Sequence, residues 1–263
     1  MKAIDINATG LHEWLFRLAL KCRPKVDRLV AGRPCIGKTP FLQAETFPWT
    51  AELEQHWAAI REEAQSLLQR QPRGETHHLQ QSAMLWCYGY RVAENCRHCP
   101  QTIWHLEHIP GLQTAYFAQL EADGYAAGPR AATRRLLTCH LALSVPDEWK
   151  SCRLTVDDKT PGEAPTAQAG EPGPGWTESQ SRRQWTGYWI EGKCLMFDDS
   201  YPAAARNDSD EPRLILVLQF SLPLAWPGRL IGNLLLAGLR RCPTFQAARR
   251  NPWLWDKALR DME

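Results

Sequence analysis

The sequence predicts a mainly β fold with flanking α-helices, built as a sandwich or double-sheet barrel. Three observations lead there. Short segments rich in β-branched, aromatic or alternating residues follow one another from residue 114 onward, turn-forming Gly, Pro, Asp and Ser separate them, and helical periodicity is confined to the stretches before and after. A succession of short strands of this kind closes into two facing sheets. With 263 residues, 44% of them hydrophobic and 23% charged, the chain can bury a sizeable core.

The elements follow in order. Leu11, Trp14, Leu15 and Leu18 recur at spacings of three and four and predict an N-terminal helix, followed by a linker punctuated by Gly32, Pro34, Gly37 and Pro40. From Thr50, placed as N-cap, the residues Leu53, Trp57, Ile60, Ala64 and Leu67 line one face of an amphipathic helix that ends before Pro72. Residues 100–109 predict a shorter helix, with Pro100 at its start, where a missing N–H costs nothing. Strands are expected within TAYFAQLEA, RLLTCHLALSV, SCRLTVDD, YWIEGKCLMFDD and PRLILVLQFSL. Residues 160–181, crowded with Pro, Gly and Ser, bury too little apolar surface to order themselves and predict a mobile insertion. Leu230, Leu234, Leu235 and Leu239 predict a return to helix. The expected organisation is an N-terminal helix and linker (1–46), a β domain (47–226) and a C-terminal helical extension (227–263).

Thirty-one Lys and Arg balance twenty-nine Asp and Glu, a net charge of +2 that gives no bulk electrostatic reason to bind nucleic acid. Arg240, Arg241, Arg249 and Arg250 read as a small solvated basic surface. No apolar run is long enough to span a membrane, and the opening MKAIDINATGLHEW breaks up before a signal-peptide core forms, so a cytoplasmic protein is expected. Nine cysteines without an export signal predict reduced thiols. Cys96 and Cys99, beside His98, form a single C-x-x-C that lacks the second ligand pair of a zinc site. Gly32 to Lys38, GRPCIGK, lacks the spacing of a phosphate loop and reads as linker. His77, His78 and the twelve tryptophans favour no function, and composition leaves the oligomeric state open.

Three blocks carry more information. They are Cys99-Pro100-Gln101-Thr102 with Ile109-Pro110-Gly111 and Tyr116-Phe117-Ala118; His140-Leu141-Ala142-Leu143 with Pro146; and Trp189-Ile190-Glu191-Gly192-Lys193 with Phe197-Asp198-Asp199-Ser200 and then Arg213. In this order, over residues 47 to 225, they resemble the aspartyl/asparaginyl β-hydroxylase family, especially its bacterial branch that includes the lipid A hydroxylases. The resemblance implies a double-stranded β-helix (a cupin-like jelly roll) holding iron(II) and 2-oxoglutarate between its sheets. The family binds iron through two histidines, one eleven residues before the H-L-G-L histidine and one three residues after F-D-D-[ST]. Those positions here are Pro129 and Ala203, and neither 122–139 nor 201–212 contains any histidine. The resemblance further implies an arginine and a serine that help hold 2-oxoglutarate, where this chain has Thr138 and Ala118. His140 and Arg213 remain.

Strand alternation places Thr138, His140 and Ala142 on one face, opposite Leu137, Cys139, Leu141 and Leu143. It likewise places Arg213 with Ile215, Val217 and Gln219, opposite Leu214, Leu216, Leu218 and Phe220. A pocket lined by Thr138, Ala118, Val217, Gln219 and Asp199 suits a small organic substrate. The first reading is therefore metal-independent isomerisation, elimination or cyclisation in specialised metabolism, without a cofactor. In it His140 is the general acid/base, Arg213 the anion binder, and Tyr201, Asp199 and Cys139 lesser candidates. A second reading keeps iron(II) and 2-oxoglutarate with substitute ligands such as His140 and Asp198 or Asp199. A third is a non-catalytic binding protein.

Overall fold

The computed structural model describes residues 40–70, 80–87, 89–127, 136–157, 176–179, 184–199 and 201–221. The expected terminal helices, the GRPCIGK linker, His77, His78, Pro129 and most of 160–181 lie outside these residues. Twelve described strands form two antiparallel sheets. The larger contains β1 (Phe41–Leu42), β2 (Gln80–Cys87), β3 (Tyr90–Arg91), β4 (Leu112–Leu120), β6 (Leu136–Ser144), β10 (Cys194–Asp198) and β12 (Arg213–Ser221), in the order β1-β10-β6-β12-β4-β2-β3. The smaller contains β5 (Tyr125–Ala127), β7 (Cys152–Asp157), β8 (Trp176–Ser179), β9 (Gln184–Tyr188) and β11 (Ala203–Asn207), in the order β5-β11-β7-β9-β8. The chain passes repeatedly between sheets, as at β4-β5-β6-β7 and β10-β11-β12. This is the jelly roll of a double-stranded β-helix.

Two apolar layers result from the period-2 alternation. Leu137, Cys139, Leu141, Leu143, Leu214, Leu216, Leu218 and Phe220 pack under the helices on the outer face of the large sheet. Ala142, Ile215 and Val217 instead face the small sheet, meeting Leu154, Val156, Trp185 and Ala205. The predicted facing of β6 and β12 is thus what the structure has.

The helices cover the outer face. The predicted helix from Thr50 is in fact two, α1 (Trp49–Gln55) and α2 (Trp57–Arg70), with His56 between them in a non-helical conformation. Thr50 is not its N-cap: it lies in the first turn of α1 and its hydroxyl donates to the Ala44 and Phe47 carbonyls at 2.9 and 2.7 Å. A short α3 (Ala93–Arg97) precedes α4 (Pro100–Glu107), the expected Pro100 helix. YWIEGKCLMFDD is not one strand. It is the end of β9, a turn closed by the Lys193 N–H donating to the Ile190 carbonyl at 2.9 Å, and β10. Gly192 makes that turn at φ +75°, where a Cβ would also stand 2.9 Å from the Trp57 indole nitrogen. Within the predicted insertion, Trp176–Ser179 is an edge strand paired with β9. No helix among the described residues is long and apolar enough to cross a membrane.

Candidate functional site

Most signature residues turn out to build the scaffold. Glu63 of α2 reaches the start of α4, where its carboxylate accepts from the backbone N–H groups of Gln101 and Thr102 at 2.9 and 2.8 Å and from the Thr102 hydroxyl at 2.6 Å. A carboxylate there satisfies orphan donors and opposes the positive end of the helix. Cys96 and Cys99 donate to the separate carbonyls of Leu85 and Glu63, and burial pushes their thiols up to about 11 and 12. Gly111 turns at φ +73°, with no space for a Cβ beside the Ser221 carbonyl. Glu191 accepts from the Val145 N–H and Arg61, both at 3.3 Å, and Lys193 pairs with Glu54 at 2.8 Å. These contacts tie the turn after β9 to β6 and to the helical layer.

That turn positions Trp189. Its fully buried indole stacks against His140, with ring centroids 5.9 Å apart and planes inclined by 18°, and its Nε1 donates to His140 Nδ1 at 3.3 Å. Since Nδ1 accepts, neutral His140 carries its proton on Nε2 and presents a donor there. Burial, reinforced by the Arg213 cation, lowers the His140 pKa to about 3, so the ring is neutral at ordinary pH. The Arg213 guanidinium carbon lies 4.0 Å from the centre of the same indole.

Arg213 is 3% exposed, and neither its Nε nor its Nη1 has a hydrogen-bond partner. Among the described residues it forms no ion pair. Burial lowers its pKa to about 10, against the opposing influence of nearby Cys152 and Tyr116. It stays charged, and an uncompensated buried guanidinium costs several kcal/mol.

Sheet register lays out the rest of the face. Leu195, His140, Val217 and Tyr116 form one row across β10, β6, β12 and β4, and Ala142, Ile215 and Ala118 form the next. On the other side of His140, Phe197, Thr138, Gln219 and Thr114 make a polar row. Above it lies Asp199, whose carboxylate accepts from Gln219 Nε2 at 2.8 Å. Burial raises Asp199 to about 6, opposed by the neighbouring Thr138 hydroxyl and by Gln219. The hydroxyls of Thr138 and Thr114 are themselves buried without a hydrogen bond of good geometry. Arg213 therefore stands at one end of the face and Asp199 at the other, with His140 between them.

The structure brings His140, Arg213, Ala118, Val217, Thr138, Gln219 and Asp199 onto one interior face. Tyr201 is half-buried and packs against its apolar cluster. Cys139 is on the opposite face, beneath the helices, because its neighbour His140 points inward; it is no part of this site. Ala203 is buried on β11 among the same interior residues as Ala118, with only a methyl group to offer. His140 belongs to no cluster of three or more metal-ligating side chains among the described residues. Thr114 escaped the sequence reading, and Trp189 and Tyr116 were named there only as motif residues, not as part of the site. The tryptophan of W-x-E-G-K was visible as motif, but nothing local ties it to a residue 49 positions away.

The chain is similar to several known proteins. A curated relative, the ornithine lipid ester-linked acyl 2-hydroxylase of Rhizobium tropici, is 27% identical over 235 residues, spanning 84% of this chain and 74% of the relative. Solved structures overlay partially. The epimerase SnoN of nogalamycin biosynthesis, 17% identical, covers 64% of this chain and 72% of its own at a TM-score of 0.41. An oxidoreductase of the 2OG-Fe(II) oxygenase family from Burkholderia pseudomallei, 11% identical, covers 78% and 89% at 0.37. The family described as Aspartyl/Asparaginyl beta-hydroxylase matches residues 54–164 and 179–223, which is more than half of the sequence. The chain belongs to the aspartyl/asparaginyl β-hydroxylase family, in its bacterial branch.

Proposed function

We propose that this family member binds a small organic acid between its sheets and transforms it by acid–base chemistry without iron, as a cytoplasmic isomerase, lyase or cyclase of specialised metabolism. The observation that carries the reading is Arg213, a buried cation with two unused donors and no carboxylate partner among the described residues. Such a group gains most from a bidentate carboxylate supplied by a ligand.

The donor set fits an iron centre poorly. Ala203 has no ligand atom, Pro129 has none in its side chain, and His140 spends Nδ1 on the Trp189 indole while a guanidinium cation sits nearby.

Three side chains divide the work. Arg213 holds the carboxylate. Asp199, ionised above pH 6, removes a proton from carbon next to a carbonyl, and the electron pair moves onto the carbonyl oxygen. His140 donates from Nε2 to that oxygen as a neutral electrophile, a narrower role than the expected general acid/base. Return of the proton at a neighbouring carbon gives isomerisation; loss of a leaving group gives elimination.

The name of the Rhizobium relative supports a second reading, 2-hydroxylation of an ester-linked lipid acyl chain, for which the family resemblance implies iron and 2-oxoglutarate. Native mass spectrometry of protein purified from its own host separates the two. A small acid bound without iron supports the proposal; stoichiometric iron that is lost on H140Q substitution overturns it.

A further inference from the structure

The helical layer holds a separate constellation. Glu52 of α1, His56 at the α1–α2 junction and His105 of α4 present ligand atoms that all lie within 4.8 Å of one another, and the two imidazole centroids are 4.6 Å apart. Glu52 and His56 are exposed, whereas His105 is buried at 6% exposure. One ligand is therefore fixed by packing, and two can adjust from the solvent side.

The His56 ring is already oriented. Its Nδ1 lies 2.9 Å from the Glu52 carbonyl, a bond it can make only as donor, which leaves the Nε2 lone pair for a ligand. Metal-binding histidines are held in this way, by donating the other ring N–H to a carbonyl.

We infer that Glu52, His56 and His105 form a zinc site that clamps α1 to α4, with its remaining position open to water. Two imidazoles and one carboxylate suit a borderline ion such as Zn²⁺, at bonds of about 2.0–2.2 Å, and place ligand atoms about 3.3 Å apart in a tetrahedron. Closing from 4.8 Å takes rotations of the exposed Glu52 and His56 side chains. His105 neighbours Ile103 and Leu106, which pack on the outer face of the large sheet. The sheet thus stands between this site and Arg213, so zinc here plays no part in pocket chemistry. The inference does not rest on the proposed function.

Chelator-treated full-length protein titrated with ZnCl₂ and with CoCl₂ tests it. The expected result is one ion per chain, cobalt absorption without a thiolate charge-transfer band, and a higher melting temperature with zinc. Replacing the exposed ligand in H56A should weaken zinc binding about 100-fold, and E52Q about 10-fold or more, with H108A unchanged. Equal zinc affinity in wild type and H56A, a thiolate band that implicates Cys96 and Cys99, or no stoichiometric binding would each overturn it.

Discussion

The Arg213 guanidinium lies 4.0 Å from the centre of the Trp189 ring, and the same indole donates to His140 Nδ1 at 3.3 Å. One tryptophan thereby orients both His140 and Arg213. It supports the cation on its face and sets the histidine tautomer from its edge.

A buried cation with no ion-pair partner among the described residues burdens the fold. Replacing Arg213 by Met keeps the volume and removes the charge, so R213M should raise stability by about 1–3 kcal/mol while organic-acid binding is lost. Urea unfolding and ligand titration on the same preparation check both halves. An arginine with a merely structural role would give loss of stability instead.

The two buried titratable groups act in opposite directions. His140 has its folded pKa depressed from 6.5 to about 3, so the unfolded chain binds the additional proton and stability falls as pH drops from 6.5 toward 3. Asp199 has its folded pKa raised from 3.8 to about 6, so the folded chain binds more protons and stability falls as pH rises from 3.8 toward 6. H140Q should therefore flatten the acid loss of stability and D199N should steepen it. Denaturation midpoints at several pH values give the slopes. Under the proposed chemistry, activity should also rise through about pH 6 in wild type and be lost at every pH in D199N.

Asn207 anchors the far end of the sandwich. Fully buried, its Nδ2 donates to the carbonyls of Leu120, Glu121 and Glu211, while Oδ1 accepts from Ser209 and from the Cys152 thiol. N207A removes these partners from buried groups and should cost about 3 kcal/mol, read by equilibrium unfolding.

Glu63 makes a comparable contribution to the helical layer. E63A leaves the first N–H groups of α4 and the fully buried Thr102 hydroxyl without their acceptor, and about 2 kcal/mol of stability should go. E63Q, which keeps one oxygen, should lose less.

The strands that read clearly in the sequence were those with one greasy face. In β6 and β12 leucines alternate with Thr, His, Val and Gln, so the pleat assigns each residue a side. AAARN of β11 lacked that signal, since alanine has little strand preference and the segment owes its place to pairing with β7 and β5. QQSAMLWC of β2 hid its alternation behind a register shift between Met84 and Trp86. His140 and Arg213 emerged through the family resemblance together with strand parity. Their coupling through Trp189 and the tautomer it imposes exist only once distant strands have packed.

Calorimetric titration of chelator-treated protein with a small dicarboxylate such as 2-oxoglutarate, with and without Fe(II), tests the central claim most directly. Binding of equal affinity in both conditions, lost in R213M, is expected. Binding that appears only when Fe(II) is present would contradict it.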